Sequence, residues 1–557
     1  MGRSLSIITG LQLVAVAVTA QPPALPPEIA RAQAAMQAGH VDSVIAELEG
    51  YFARNPNATA GWILLGNAYK QKGNTEKALA SYQKVSVPRL ARLQAMFNMA
   101  GIHAADGRSD TALALLDRLK ASGAFDMELA VTAPDFASLK SHPRFAATQF
   151  KADEFRNPFV EPVRIIHEWT GETKGDQFSW IARAIGDVDG DRVSDVVSSA
   201  PTYGANGQPA GRGRVYVYSG KTARLLWQYT GEPGENVGTG LEGAGDVDKD
   251  GINDVVAGAP GSGSAYVLSG RNGAVLHKLQ GVAAERFGAT SAGAGDQDGD
   301  GHADIVVGAP GSNANGQGSG SAFVFSGKTG RQIAKLDGER AGDAFGSIVA
   351  GQKSGRGTPV LVGAPSAGPR QRGRVYVFRD LRGPASMMMD SDSTGTALGA
   401  MFTSLVGDVD GDKVLDVFAT DFSNAAKGPA TGRAYVTSGK TGALLLTLTG
   451  ENPGDAFGVG SADAGDVNRD GHDDLVIGAW QYSAVAPSGG RIYLYSGKDG
   501  NLLQTITGRI PGETLGFDAA GAGDVDGDGV PDLLVASSWS NIKGFHTGRM
   551  FIISGKR

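Results

Sequence analysis

An aspartate-rich nonapeptide occurs six times between Asp187 and Asp532, and each copy runs directly into an apolar stretch. Aspartate stands at positions one, five and nine of every copy, and aspartate or asparagine stands at position three. In chain order the copies contain Asp187, Asp189, Asp191 and Asp195; Asp246, Asp248, Asp250 and Asp254; Asp296, Asp298, Asp300 and Asp304; Asp408, Asp410, Asp412 and Asp416; Asp466, Asn468, Asp470 and Asp474; and Asp524, Asp526, Asp528 and Asp532. Every one of these side chains except Asn468 is a carboxylate.

Carboxylates at this spacing predict a bound hard cation. They repel one another until a cation neutralises them, and Ca²⁺ prefers many oxygen ligands. Position seven can add its backbone carbonyl, and it is occupied by Val193, Ile252, His302, Val414, His472 and Val530. Polar turns without a metal would explain one such loop, but six copies in register favour six calcium sites. The side chains of His302 and His472 are expected to face solvent.

The pattern differs from an EF-hand, in which a glutamate at position twelve closes a loop between two helices. Here position nine begins a strand-like run, such as residues 304–310. Glycine at position six suits a left-handed turn in four copies. The first and fourth copies instead have Arg192 and Lys413 there, with Gly190 and Gly411 two places earlier. We expect these two sites to bind calcium more weakly.

The loops mark a longer repeat, because their first aspartates are generally 50 to 59 residues apart. The interval from Asp296 to Asp408 is double and contains a degenerate copy, residues 351–359, that has no aspartate but keeps the following apolar run, residues 360–365. Each repeat then continues with an alternating run, usually Ser-Gly-Lys, and a final strand-like run. About four short strands repeated seven times predict an all-β, seven-bladed propeller with six metal loops.

Two short motifs carry a family resemblance. The dipeptide Phe-Gly begins at Phe287, Phe345 and Phe457, and the triplet Gly-Ala-Pro occupies residues 258–260, 308–310 and 363–365. In these motifs residues 163–557 resemble the FG-GAP repeat family, the seven-bladed propeller at the head of integrin α chains and in many bacterial surface proteins. The resemblance implies a secreted or cell-surface adhesion or ligand-binding protein. It also implies that protein or glycan ligands bind loops on the face opposite the calcium loops.

The two ends of the predicted propeller are complementary. The last repeat stops at residues 548–556, one strand short of a full repeat, whereas residues 164–171 match residues 225–231 of the first repeat. We therefore predict that residues 163–170 supply the outer strand of the seventh blade and close the ring.

Residues 25–150 have a helical pattern with a period of 34 residues. In the central copy Trp62, Gly66 and Tyr69 belong to a pattern that resembles the tetratricopeptide repeat. This predicts an N-terminal all-α array with repeats at residues 25–58, 59–92 and 93–126, followed by a linker at 151–162. The resemblance implies a groove for a peptide, with Asn67, Tyr69 and Lys70 as candidate contacts, although core packing explains Tyr69 better.

Residues 1–20 have the features of a secretory signal peptide, with one early cation, an apolar run and a small residue at the end. A retained membrane anchor is the alternative. No later stretch is apolar enough to span a bilayer. The absence of cysteine excludes disulfides and thiol catalysis. The formal charge of −7 would become about +5 with six bound Ca²⁺, and no basic run indicates nucleic-acid binding. We expect an extracytoplasmic protein.

The sequence favours a binding scaffold that is not an enzyme. The alternative is an extracytoplasmic hydrolase or lyase with a site at the central funnel of the propeller. No catalytic residues are predicted, because the eight histidines are scattered and neither Gly-x-Ser-x-Gly nor His-Glu-x-x-His occurs.

Two atypical segments lie in or next to the metal-free repeat. The methionine-rich residues 387–392 are predicted to form an irregular loop or an adaptable apolar surface. The metal-free repeat also carries a basic group of side chains, Lys353, Arg356, Arg370, Arg372 and Arg374, which we interpret as a candidate surface for an anionic partner.

Overall fold

The computed structural model describes residues 25–205 and 210–556. The predicted signal peptide, residues 1–20, lies outside the described residues. The described chain divides into a helical unit that ends at Glu154 and a β unit that begins at Phe155. Among the described residues, no helix is both long and apolar enough to cross a bilayer.

The helical unit contains three consecutive helix pairs followed by shorter turns. The helices are α1 (Pro27–Gln37), α2 (Val41–Arg54), α3 (Trp62–Gln71), α4 (Thr75–Gln83), α5 (Arg89–Ala105), α6 (Ser109–Ala121) and α7 (Glu128–Thr132), with 3₁₀ turns at Pro134–Leu139, Phe145–Thr148 and Ala152–Phe155. The predicted helical array is thus confirmed, while its identity as tetratricopeptide repeats stays a prediction.

Small residues let the central helix pair pack closely. A Cβ atom at Gly66 on α3 would lie 2.5 Å from the Tyr82 ring on α4, so the absence of a side chain there permits the contact. Trp62 stacks on Phe52 of the preceding pair with ring centroids 3.5 Å apart. Tyr69 is 6% exposed and belongs to the core, which agrees with the packing interpretation of this residue.

The other two candidate peptide contacts are already engaged within the helical unit. Lys70 forms an ion pair with Asp135. The side-chain carbonyl of Asn67 accepts hydrogen bonds from the Tyr82 hydroxyl at 2.7 Å and from the Asn98 amide at 3.0 Å. A peptide ligand would have to compete with these internal bonds.

The β unit consists of seven antiparallel sheets of four strands each. Six sheets follow chain order. They are formed by β2 (Ala182–Gly186), β3 (Asp195–Ala200), β4 (Arg214–Tyr218) and β5 (Leu225–Thr230); β6 (Leu241–Gly245), β7 (Asp254–Ala259), β8 (Ser264–Leu268) and β9 (Val275–Gln280); β10 (Thr290–Gly295), β11 (Asp304–Ala309), β12 (Ser321–Phe325) and β13 (Gln332–Asp337); β14 (Ile348–Ala350), β15 (Val360–Ala364), β16 (Arg374–Phe378) and β17 (Met387–Asp390); β18 (Thr403–Val406), β19 (Asp416–Asp421), β20 (Arg433–Thr437) and β21 (Leu444–Thr449); and β22 (Phe457–Gly465), β23 (Asp474–Ala479), β24 (Arg491–Tyr495) and β25 (Leu502–Thr507).

The seventh sheet joins the two ends of the β unit. It has the order β26 (Asp518–Gly523), β27 (Asp532–Ser537), β28 (Arg549–Ile553) and β1 (Ile165–Thr170). Strand β1 pairs antiparallel with β28, and Trp169 lies opposite Met550. The predicted closure of the ring by residues 163–170 is therefore confirmed, and the fold is a seven-bladed propeller.

The repeat motifs have clear packing roles. Every residue of the second strand of each blade is buried, because neighbouring blades cover both faces of the sheet. Phe287, Phe345 and Phe457 of the Phe-Gly dipeptides are 0–1% exposed. Each makes an edge contact with the first aromatic ring of the third strand in its own blade, with centroids 5.3–5.6 Å apart. Such contacts anchor the start of each repeat.

The sequence predicted an irregular loop for the methionine-rich segment, and this prediction is wrong. Met387–Asp390 forms β17, the regular outer strand of the fourth blade, in which Met389 is 8% exposed and Met388 is 51% exposed. The alternation fits an outer strand with one face packed on the blade.

The basic group of the metal-free blade is also not a free surface. Arg374 pairs with Asp390, Lys353 pairs with Glu242, and Arg372 donates a hydrogen bond to the Asp392 carbonyl. Internal partners therefore occupy three of the five cations that the sequence suggested for an anionic ligand.

Candidate metal sites and their supporting turns

Each aspartate loop connects the innermost strand of a blade to its second strand. The innermost strands all run in the same direction around the ring, so the six loops lie at one end of the propeller. We number the loops 1 to 6 in chain order, beginning with the loop of Asp187.

Backbone amides orient the first three acidic positions of every loop. The position-six amide donates to the position-one carboxylate, the position-five amide donates to position three, and the position-seven amide donates to position five. In loop 1, for example, Arg192 donates to Asp187 at 2.8 Å. These short-range bonds turn the side chains of positions one, three and five toward the inside of the loop.

Five loops bring three carboxylates together. In loops 1, 4 and 6 the group comes from positions one, three and nine, and in loops 2 and 3 it comes from positions one, three and five. Within each group, one oxygen atom of each carboxylate lies within 4.8 Å of the others. In loop 5, Asn468 occupies position three and donates its amide to Asp470 at 3.1 Å, and the described residues form no such group there.

The donor chemistry of these loops fits a calcium ion. In loops 1 and 3, no basic side chain among the described contacts pairs with any of the loop carboxylates. In loop 2, Oδ1 of Asp246 is buried without a hydrogen-bond partner, a state that is costly unless a cation is bound. Basic side chains reach position five from outside the loop at Asp250, Asp412 and Asp528, and Arg164 pairs with the position-three carboxylate of loop 6, Asp526. Oxygen-only groups of this kind suit Ca²⁺.

The position-nine aspartate has a second task that the sequence did not indicate. All six of these side chains are 0% exposed. One oxygen accepts the position-two amide, and the other accepts the amide of the glycine in the later Ser-Gly turn, for example Gly220 to Asp195 at 2.9 Å. This carboxylate therefore ties the metal loop to the Ser-Gly turn, which joins the third and fourth strands in five of these blades and follows β28 in the seventh.

Burial makes the charged form of these position-nine groups unfavourable. It raises the pKa of Asp195, Asp304 and Asp474 to about 6 and that of Asp254 to about 7, and it raises the pKa of Asp416 and Asp532 in the same direction. A cation bound beside them would favour the charged form and lower these pKa values.

The contact between the turn and the metal loop explains why the second residue of the Ser-Gly-Lys motif is glycine. A Cβ atom at Gly327 would lie 1.8 Å from the carbonyl oxygen of Ala303, the residue before the position-nine aspartate. The equivalent distance is 1.9 Å at Gly220, Gly270, Gly439, Gly497 and Gly555. The repetition of the tripeptide in the sequence was the available signal, but its partner carbonyl is set by the fold.

Two histidines at position seven differ from their prediction. His302 and His472 are half-buried, and each Nδ1 lies at hydrogen-bond distance from the position-two carbonyl of the preceding metal loop, Val247 at 2.7 Å and Val409 at 2.9 Å. Their side chains therefore link neighbouring blades rather than face solvent. The predicted ligand at position seven is the backbone carbonyl, which this side-chain contact leaves available.

Comparison with known proteins agrees with the repeat structure. The sequence profile of the FG-GAP-like repeat matches residues 246–307 and 466–535, and each of these segments begins at one metal loop and includes the next one. These two segments of the β unit are similar to the FG-GAP-like repeat. Integrin alpha-3 of Mus musculus is 30% identical over 194 residues, which cover 32% of this chain and 18% of the integrin. Integrin alpha-4 of Xenopus laevis is 28% identical over 211 residues, which cover 35% and 20%.

The chain thus spans about a fifth of the length of these integrins. Among solved structures, the Dos1 propeller is similar over 65% of this chain and 76% of its own, with 13% identity and a TM-score of 0.39. The description of this β unit as a seven-bladed propeller comes from its sheet topology, not from that similarity.

Proposed function

We propose that this protein is a calcium-binding, extracytoplasmic scaffold for adhesion or ligand binding. The proposal rests on the groups of three carboxylates in five aspartate loops. In loops 1 and 3, no basic side chain pairs with these carboxylates among the described contacts. The similarity of the β unit to integrin α chains supports the adhesion role. The ligand-binding surfaces are then the propeller loops opposite the metal loops, for a protein or glycan, and the groove of the helical array, for a peptide.

Calcium in this proposal stabilises the blades and takes no part in a reaction. Up to six ions would bind, one in each aspartate loop, through positions one, three, five and nine and the position-seven carbonyl. A bound ion would neutralise carboxylates that otherwise repel one another, and it would hold together the loop and the Ser-Gly turn. The protein is accordingly proposed to have no enzymatic activity.

Equilibrium dialysis of the full chain against ⁴⁵Ca²⁺ tests the metal proposal. We expect about six bound ions per chain, and the substitution Asp298→Asn in loop 3 should reduce the number by one. Asp380→Asn, an exposed carboxylate of the metal-free blade, is the matched control and should leave the number unchanged. An equal loss in both variants, or no calcium bound at all, would contradict the proposal.

The adhesion role needs a separate measurement. The full chain, immobilised in millimolar calcium, should retain individual extracellular proteins or glycans from defined arrays and release them in chelator. Hydrolysis and elimination assays on the retained glycans and proteins distinguish the enzyme alternative, since turnover of any of them would exclude a purely structural role.

A further inference from the structure

A cavity of about 390 Å³ lies on the axis of the propeller, between the innermost strands of the blades. This volume is within the usual range for small-molecule sites. Its wall combines three kinds of group: charged side chains, buried hydroxyls and aromatic rings. Their arrangement indicates which ligand chemistry the cavity can accept.

Most of the charge in this central cavity is internally compensated. Glu242 on β6 pairs with Arg183 on β2 at 2.8 Å and with Lys353 of the metal-free blade at 3.3 Å. Arg183 also pairs with the fully buried Asp518. These four residues carry two positive and two negative charges, so as a group they are neutral.

Asp463 on β22 is the uncompensated charge. It lines the same cavity, and its one described hydrogen bond is accepted from the Gly465 amide at 2.8 Å. No basic side chain pairs with it among the described contacts. Asp473 and Asp474, the charged groups that interact electrostatically with Asp463, are themselves acidic. Arg286 lines the same cavity as well, so the six charged groups in or beside it are together about neutral, and the negative charge without a described cationic partner is that of Asp463.

Three hydroxyl groups in the cavity wall have no hydrogen-bond partner. They belong to Ser291 on β10 and to Thr403 and Ser404 on β18, and their oxygen atoms are buried. Ser291 and Thr403 are 4% and 7% exposed. A buried polar group without a partner costs about 1–3 kcal/mol, so a ligand that bonds to these hydroxyls would recover much of that free energy.

Aromatic rings form one end of the cavity. Phe402 and Phe517 stand immediately before an innermost strand and Trp180 stands two residues before one, which places all three at the end opposite the metal loops. This end can cover an apolar part of a ligand, while Asp463 and the hydroxyls face its polar part.

We propose that this central cavity binds a small primary amine with an apolar or aromatic body. The ammonium group supplies the positive charge that Asp463 lacks and three N–H donors for carboxylate and hydroxyl oxygens. A neutral alcohol would satisfy the hydroxyls but leave Asp463 unpaired, and an anion would be repelled by it. This inference goes beyond the scaffold role and involves none of the predicted calcium ligands.

Calorimetric titration of the full chain in calcium tests this inference, with tyramine and hexylamine as probes and with tyrosol and hexanol as their neutral counterparts. We expect at least one amine to bind about tenfold or more tightly than its alcohol. Asp463→Asn should weaken amine binding by about tenfold or more, since it removes the charge and keeps the shape of the side chain. Thr403→Val should give a smaller loss.

Asp499→Asn is the matched control, because this exposed aspartate lies in the turn between β24 and β25 of the same blade. It should bind amines as the parent does. Equal affinity for amines and alcohols, no binding of either amine, or unchanged binding by Asp463→Asn would overturn the proposal. If Asp463→Asn failed to fold, the Thr403→Val variant would decide between the same outcomes. Calcium stoichiometry, measured in parallel, separates failure here from failure of the metal proposal.

Discussion

Positions four and six of all six aspartate loops have a left-handed backbone. The non-glycine residues in this conformation are Arg192 and Lys413 at position six, with φ of 70° and 66°, and Lys249 and Arg469 at position four, with φ of 68° and 62°. Only loops 3 and 6 have glycine at both positions. The sequence predicted unfavourable turns in loops 1 and 4, and the structure shows that loops 2 and 5 each contain one as well. Each such residue costs on the order of 1 kcal/mol.

Arg192→Gly should therefore stabilise loop 1. The gain from relieving the left-handed arginine is partly offset by the greater freedom of glycine in the unfolded chain. We expect the free energy of unfolding to rise by about 0.5 kcal/mol and calcium to bind more tightly. Urea denaturation at several calcium concentrations measures both quantities. The control Arg192→Lys retains the strain and should change neither quantity, and a loss of stability in Arg192→Gly would contradict this account.

Asp463 should make stability depend on pH. Burial raises its pKa from 3.8 to about 6, so the folded state holds this proton more tightly than the unfolded state does. Its contribution therefore falls as pH rises from about 4 to about 6. Arg183, Glu242, Lys353 and Asp518 line or adjoin the same cavity and compensate one another. Arg286 also lines the cavity, but the groups that act most on Asp463 are the acidic Asp473 and Asp474.

We accordingly expect Asp463→Asn to be about 3 kcal/mol more stable than the parent at pH 7, with the difference nearly disappearing at pH 4. Urea denaturation of both proteins at several pH values, without amine, measures this difference. Asp499→Asn provides the reference for an exposed site. A constant difference across the range would show that Asp463 does not titrate as described.

At the scale of elements, the metal loop and the Ser-Gly turn form one unit in each of six blades. The position-nine carboxylate accepts amides from both segments, and the turn glycine touches the carbonyl of the preceding residue in the loop. Four strands of a blade are thereby connected at one end even without the metal. The metal-free fourth blade has neither the aspartate nor the Ser-Gly-Lys motif, which is consistent with this coupling.

Gly327→Ala should destabilise the third blade strongly. The added methyl group would lie 1.8 Å from the Ala303 carbonyl oxygen, so the loop or the turn would have to move and the hydrogen bond to Asp304 would be lost. We expect a loss of about 3 kcal/mol, measured by denaturation in calcium. Gly383→Ala, whose nearest neighbour would be 3.7 Å away, is the control; similar losses in both would refute the proposed contact.

At the scale of the whole molecule, ring closure links residues that are almost 400 positions apart. Strand β1 pairs with β28 and so completes the seventh blade. Each of the seven blades therefore has four strands, and β28 is not left as an exposed edge. The six proposed metal loops are distributed around one end of this ring, and their stabilising effects should add because they lie in separate blades.

Calcium removal should therefore lower the stability of the propeller as a whole. If each site binds at roughly 0.1 mM and calcium is about 1 mM, six sites contribute about 8 kcal/mol. Scanning calorimetry in calcium and in chelator should show a lower melting temperature for the propeller in chelator. The melting transition of the helical unit, which contains none of the aspartate loops, is the internal control. A propeller transition that is indifferent to calcium would contradict the stabilising role.

The sequence by itself determined the number of blades, the place of each acidic loop and the closing strand. These features depend on motifs that are local and repeated, such as the nonapeptide and the 50 to 59 residue period, so they are readable without the fold. The prediction of an irregular loop at residues 387–392 was wrong, because the position of this segment in the repeat, and not its composition, makes it an outer strand.

The tertiary structure alone decided what lies between repeats. The turn glycine reaches an aspartate 16 to 25 residues earlier, His302 bonds to the neighbouring loop, and Asp463 shares the central cavity with β18 and β10. Each of these relations depends on how separate strands are aligned and how blades pack. Sequence spacing carries no such information, because contacts between blades are fixed by register and burial rather than by distance along the chain.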